Sequence, residues 1–221
     1  MEQIKYRGVI FDFNGTLFWD TKLHNEAWDI FLNKYNLHFT NEDMFQKIHG
    51  KNNKDILIDL FGNIPDMQIK ALGDEKEKLY QNLCLQTDMQ LAPGLPSFLD
   101  FLKANNTPFT IATASGKDNL DSYFKYLPLS KWFDYDKVIY NNGLIKGKPD
   151  PQIYRLAMEI IDRKPEEVIV FEDANMGLLA AKRAGAGRII AVNSNDDDYS
   201  NWSGHTIIKN FDEVDRILFI D

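Results

Sequence analysis

One cysteine, Cys84, stands in the 221 residues, so no intramolecular disulfide can form and packing must hold the chain together. Cys84 falls in a helix-like run and reads as a small core hydrophobe rather than a nucleophile. Long apolar runs are also missing, and nothing approaches the roughly 20 residues that cross a bilayer. The opening MEQIKYRG is too polar and too short for a secretory leader, so a cytoplasmic location without a membrane partner is expected. Positive charge is scarce: 25 Lys and Arg face 33 Asp and Glu, a net charge of −8 with no long basic cluster. Nucleic acids and anionic membrane surfaces recruit proteins by having their phosphates neutralised, so neither is expected as a partner. What is plentiful is core material. A hydrophobic content of 44% with 15 Phe suffices for one substantial core and a smaller appended module.

Short apolar runs bounded by turn residues occur at 8–13, 107–112, 137–140, 168–171, 188–192 and 206–208. Their near-continuous apolar character predicts strands covered on both faces. Helix patterns lie between them at 94–103, 119–126, 151–162 and 175–184, the last closed by Gly185. Strands alternating with helices predict an α/β fold with a doubly wound parallel sheet. Residues 19–90 break this rhythm, being helical throughout, with His24, Ala27, Trp28, Phe31 and Leu32 at one-face spacing. The expected organisation is an α/β core domain of residues 1–19 and 91–221, with an all-α cap domain, 20–90, inserted after the first strand. Ligands of open parallel sheets sit beyond the carboxyl ends of the strands, where such an insert would act as a lid.

Four stretches fall at those ends: "DFNGTL" (12–17), "TAS" (113–115), "GKPDP" (147–151) and "FEDANMG" (171–177). Together they supply carboxylates, hydroxyls, a lysine and glycine turns, the inventory for displacement at phosphorus. Asp12 can attack phosphorus and carry it as an aspartyl-phosphate. An anion approaching an anion requires cations, and Asp12, the main-chain carbonyl of Asn14 and an acidic residue of "ED" offer Mg²⁺ hard oxygen ligands. Thr113 and Lys148 would hold phosphoryl oxygens, while Gly15 lets the turn amides approach the phosphate.

In these motifs, in their order and in the insert after the first strand, the chain resembles the haloacid dehalogenase superfamily, with a Rossmann-like core and a helical cap. "TAS", "GKPDPQIY" and "FEDANMGLLAAKRAGA" are most similar to β-phosphoglucomutase and its phosphatase relatives. The resemblance implies Asp12 as nucleophile, Thr113 as the second-motif hydroxyl and Lys148 as the third-motif lysine. It also implies Glu172 and Asp173 as the acidic pair for the metal, and Ser115 and Lys117 beside the substrate phosphate. Ser115 can also be read as the N-cap of the helix after "TAS". In the cap, His24 and Lys51 are candidates for contact with substrate. His24 also reads as a structural histidine on an apolar face, and Asn53 stands where mutase-like relatives carry a phosphate-binding arginine.

Asn14 departs from the pattern, because family enzymes usually carry there an Asp that protonates the leaving oxygen. An amide has no proton to exchange, and losing a general acid typically costs about 10²- to 10⁴-fold. Several readings stay open. The substrate can carry a good leaving group; a cap residue (His24, His49, Lys51 or Lys54) can supply the proton; the protein can bind without turnover. The amide can also be an introduced change, or be converted by Asn-Gly deamidation. The expected function is a monomeric Mg²⁺-dependent phosphohydrolase of a small phosphorylated metabolite, impaired by Asn14. The alternatives are a β-phosphoglucomutase-like phosphotransferase or a phospho-ligand binding protein.

Overall fold

The computed structural model describes residues 5–219. Six strands form one sheet in the order β3-β2-β1-β4-β5-β6, with β1 Gly8–Phe11, β2 Phe109–Thr113, β3 Ile139–Tyr140, β4 Val168–Glu172, β5 Arg188–Val192 and β6 Thr206–Ile208. All neighbouring pairs run parallel. The strand order reverses between β1 and β4, and the crevice beyond the carboxyl ends at such a reversal is where open α/β sheets bind ligands. The expected doubly wound α/β architecture is therefore the observed one.

β1 is shorter than the 8–13 run because Phe13 turns its carbonyl into the next bend, accepting from the amides of Thr16, Leu17 and Phe18. β2 starts at Phe109, since Pro108 has no N–H to offer and the Thr107 amide closes the preceding helix on Leu102. Helices α5 (Leu95–Ala104), α6 (Lys117–Tyr126), α7 (Gln152–Ile160) and α8 (Asn175–Ala184) cover the sheet. α6 begins two residues before the expected 119, and α7 ends two before 162. Phe11 lies at the centre of the larger apolar cluster, stacked on Phe171 at 5.2 Å, with Phe98, Phe109, Phe133 and Phe211 around it. This packing fixes the ends of β1 and β4 against each other, and with them the residues that follow each strand.

The stretch expected to be helical carries α1 (Thr21–Lys34), α2 (Asn41–Lys47), α3 (Asn53–Phe61) and α4 (Asp66–Leu85). These helices own a separate apolar cluster built on Trp28, Phe31, Leu32, Met44, Ile56 and Leu57. Cys84 is buried on α4, and burial pushes its thiol up to about 11, which suits the core reading. Among the described residues no helix is long and apolar enough to cross a membrane.

Candidate active site

A cavity of about 760 Å³ opens between the strand ends and the four inserted helices. Its floor begins at Asp12, immediately after β1 and 5% exposed. Lys148 reaches in from the loop before α7 and donates to Asp12 Oδ1 at 2.6 Å and to Glu172 Oε1 at 2.5 Å. The other contacts of Glu172 are equally internal: Tyr154 Oη donates to Oε1 at 3.0 Å and the Ala174 amide to Oε2 at 2.7 Å. Gly177 on α8 leaves room for that carboxylate, which a Cβ would overlap. Gly15 does the same for Asp173, and at φ +76° it also takes a backbone conformation that side chains disfavour.

Asp12, Glu172 and Asp173 bring one oxygen each within 4.8 Å of one another, with a single buried ammonium, Lys148, to balance them. The electrostatic consequences are large. Burial pushes Asp12 up to about 7 despite Lys148, with Glu172 adding to the rise. Burial, then the charges of Glu172 and Asp12, hold Asp173 well above the usual carboxylate range. Burial works against the charge of Lys148, but Asp12 and Glu172 raise it above an ordinary lysine. A cluster of hard oxygens with a deficit of positive charge fits a divalent cation of the Mg²⁺ type. Asp173 is its most available member, its carboxylate accepting, among the described residues, only from the Thr16 hydroxyl, at 3.5 Å.

The turn after Asp12 aims Asn14 sideways. Its Oδ1 accepts from Ser115 Oγ at 2.7 Å, while Nδ2 donates to Asp20 Oδ2 at 2.6 Å and to the hydroxyls of Tyr123 and Tyr80 at 2.8 and 3.3 Å. Ser115 is thus not a helix cap. Gly116 occupies the N-cap of α6 without a side-chain bond, and the Ser115 hydroxyl is committed to Asn14. Thr113 is buried and accepts from the Ser115 amide at 3.1 Å. Lys117 borders the cavity, paired with Asp121 at 2.7 Å.

Asp20 is the residue that reading the sequence missed, having served there only to mark where the helical insert begins. It is fully buried. It stands at the N-cap of α1, yet its carboxylate makes no cap bond and turns into the site. Oδ1 accepts from the Gly15 amide at 2.9 Å, and Oδ2 from Tyr80 Oη at 2.5 Å and from Asn14. Burial opposes its ionisation, but His24 and the hydrogen bonds from His24, Tyr80 and Asn14 hold it below the usual carboxylate range. The signal was present in the sequence: a lone Asp six residues beyond an amide that stands where a carboxylate was expected.

Above lies the roof. His24 Nε2 is 3.3 Å from Asp20 Oδ2, its ring lies flat on Tyr80 at 3.8 Å, and its Nδ1 is 3.2 Å from Lys76 Nζ. Lys76, 2% exposed, also pairs with Glu77 at 3.0 Å. Glu77 accepts from Asn53 on α3 and from Asn119 on α6, both at 2.6 Å, so it ties the insert to the core. Asn53 is thereby committed inside the protein. Burial raises Glu77, but Lys76, His24 and these amides outweigh it and bring the carboxyl down to about 2. His49 lines the cavity and contacts Asn25 at 2.7 Å. Its burial, followed by the nearby His24, depresses it to about 4. Lys51 lines the cavity paired with Asp59 at 2.9 Å, and Lys54 pairs with Asp66 at 3.3 Å.

Residues 6–185 match the model of the haloacid dehalogenase-like hydrolases. The chain belongs to this family. Within it, the chain is 30% identical over 190 residues to a phosphorylated carbohydrates phosphatase of Thermotoga maritima, covering 83% of this chain and 84% of that protein. It is also 30% identical over 186 residues to a β-phosphoglucomutase of Bacillus subtilis, covering 81% and 80%. Among solved structures, a HAD hydrolase of family IA, variant 3, from Entamoeba histolytica superposes with a TM-score of 0.85 at 34% identity over 96% of both chains. The fold and hydrolase membership expected from the four motifs are therefore observed.

Proposed function

We propose that this hydrolase is a phosphatase of small phosphorylated carbohydrates or similar metabolites, working through a phosphoryl group carried on Asp12. The observation that carries this reading is the trio of buried Asp12, buried Glu172 and half-buried Asp173 at the ends of β1 and β4, with Lys148 paired to the first two. It is the arrangement needed to neutralise and attack a phosphate, and the similarity to a carbohydrate phosphatase agrees with it. Asp12 attacks phosphorus as the nucleophile. Lys148 holds the Asp12 carboxylate in place and offers its remaining proton to a phosphoryl oxygen. Glu172, with both oxygens taken, fixes Lys148. Ser115 borders the pocket with Thr113 buried behind it, and Gly15 gives an uncrowded turn, with Lys117, Lys51 and His24 around the substrate. Mg²⁺ fits the residues present: Asp12, Asp173 and the carbonyl of Asn14 would hold it, Glu172 lying behind them, and when bound it would neutralise phosphoryl charge. The inserted helices, residues 20–90, serve as the cap that excludes water.

A mutase acting through a sugar bisphosphate needs cations for a second phosphate. Of the six cavity lysines 51, 54, 70, 76, 78 and 117, five are already paired, with Asp59, Asp66, Asp74, Glu77 and Asp121. That favours hydrolysis of a monophosphate. The test is phosphate release from hexose phosphates and p-nitrophenyl phosphate with Mg²⁺ or EDTA. Release that requires both Mg²⁺ and Asp12 is expected. Interconversion of glucose 1- and 6-phosphate without release would overturn the reading in favour of the mutase, and stabilisation by ligand without turnover would do so in favour of a binding protein.

A further inference from the structure

We infer that His24, held by Asp20 and Lys76, is the proton donor and acceptor of this site, doing what the amide of Asn14 cannot. The inference rests on the phosphatase reading above.

Cleaving an alkyl phosphate expels an alkoxide, a poor leaving group unless a proton arrives as the bond breaks. Asn14 has none to give. Three ionisable groups of the roof face the cavity beside it in a line: Asp20, His24 and Lys76. Asn14 Nδ2 and His24 Nε2 both approach the same atom, Asp20 Oδ2, at 2.6 and 3.3 Å. The imidazole and the amide therefore flank one carboxylate oxygen on the same wall of the cavity. Asp20 itself is a poor donor, because four donor groups converge on its two oxygens. It remains the fixed anion.

Chemistry also sets the tautomer. Lysine has donors and no acceptor, so the 3.2 Å contact between Lys76 Nζ and His24 Nδ1 places a lone pair on Nδ1. The ring proton is then on Nε2, on the side of Asp20 and Asn14. The 3.3 Å separation from Asp20 is longer than the other contacts of that carboxylate, so the proton can be released to a closer acceptor. The flat stack on Tyr80 fixes the ring plane. His49, the buried Cys84 thiol and Glu77, which pairs with Lys76, are the other titratable groups around the pair.

The step balances. As an oxygen of Asp12 bonds to phosphorus, the bond from phosphorus to the leaving oxygen breaks and its electron pair takes the Nε2 proton. Nδ1 takes a proton from Lys76 Nζ, which becomes an amine. In the second half, water attacks phosphorus and the bond to Asp12 breaks. One water proton stays on orthophosphate and the other goes to Nε2, while Nδ1 returns its proton to Nζ. Lys76 is a positioning residue that acts through His24, the group that meets substrate.

The test is kcat/KM for glucose 6-phosphate, with a poor leaving group, against p-nitrophenyl phosphate, with a good one. His24→Gln is expected to lower the ratio of the two by about 10²-fold, and Lys76→Met to move it in the same direction. Asn14→Asp in the His24→Gln background places a carboxyl against Asp20, where two like charges share a proton, and is expected to bring the ratio back to within about tenfold. That recovery would also show that His24→Gln folds. The relay is overturned if His24→Gln lowers both substrates equally or neither. It is likewise overturned if Asn14→Asp restores nothing, or if the unaltered chain hydrolyses only the activated ester. Undiminished hydrolysis by Asp12→Asn would instead overturn the phosphatase reading itself.

Discussion

The floor and the roof of the cavity are built on opposite electrostatic plans. The floor crowds Asp12, Glu172 and Asp173 around Lys148 and is short of positive charge. The roof alternates carboxylate, imidazole, ammonium and carboxylate in Asp20, His24, Lys76 and Glu77, and each group has a partner of the other kind. Burial raises Asp12 and Asp173, whereas the partners of Asp20 and Glu77 hold both down against the same burial. A region short of positive charge is suited to receiving a cation and a phosphate; a chain of alternating acidic and basic groups is suited to handing a proton along.

The largest expected effect breaks the floor. Asp12→Asn should abolish phosphate release, by on the order of 10⁴-fold or more, while thermal melting shows a folded protein. Activity within tenfold of the unaltered chain would refute the nucleophile. Next, because Lys148 alone holds both Asp12 and Glu172, Lys148→Met should lower kcat by about 10²-fold or more, and in metal-free melts it should destabilise the chain by leaving two buried carboxylates uncompensated. An unchanged melting temperature would contradict the role given to that pairing. Charge deficit on the floor also means that saturating Mg²⁺ should stabilise the protein, by about 2.7 kcal/mol at a hundred times its Kd. The Asp173→Asn variant should lose most of this shift.

A further effect, confined to acid pH, probes the roof. His49 has its folded value depressed to about 4 against an ordinary 6.5, so the unfolded chain binds the proton more readily. The stability contributed by keeping His49 neutral is present in full above pH 6.5 and is lost as pH falls through 4, on the order of 3 kcal/mol at most. Melts of the unaltered chain and of His49→Gln between pH 7 and 4 would measure it. Equal slopes for the two would show that His49 is not the source.

Legibility followed the same division. The floor could be read from the sequence because each of its residues lies in a short motif at or beyond a strand end, and strands with apolar runs such as "VIVF" announce themselves. Strand ends were less legible: where β1 stops depends on Phe13 turning its carbonyl into three amides, which no periodicity records. The roof was only partly legible. His24 could be read as an apolar-face residue or as one of several cap candidates for supplying a proton, and only the folded chain brings Lys76, 52 residues further on, to its Nδ1. Asp20 looked like a boundary, because a carboxylate before a helix ordinarily caps it. Ser115 looked like a cap for the same local reason, until Asn14 was seen to claim its hydroxyl.

The most direct test of the central claim is to trap the phosphoryl group. The enzyme would be quenched during turnover of p-nitrophenyl phosphate with Mg²⁺, reduced with borohydride and mapped by peptide mass spectrometry. Homoserine at position 12, absent without substrate, is the expected result. Steady phosphate release with residue 12 still aspartate under conditions that reduce a control acyl phosphate would contradict it.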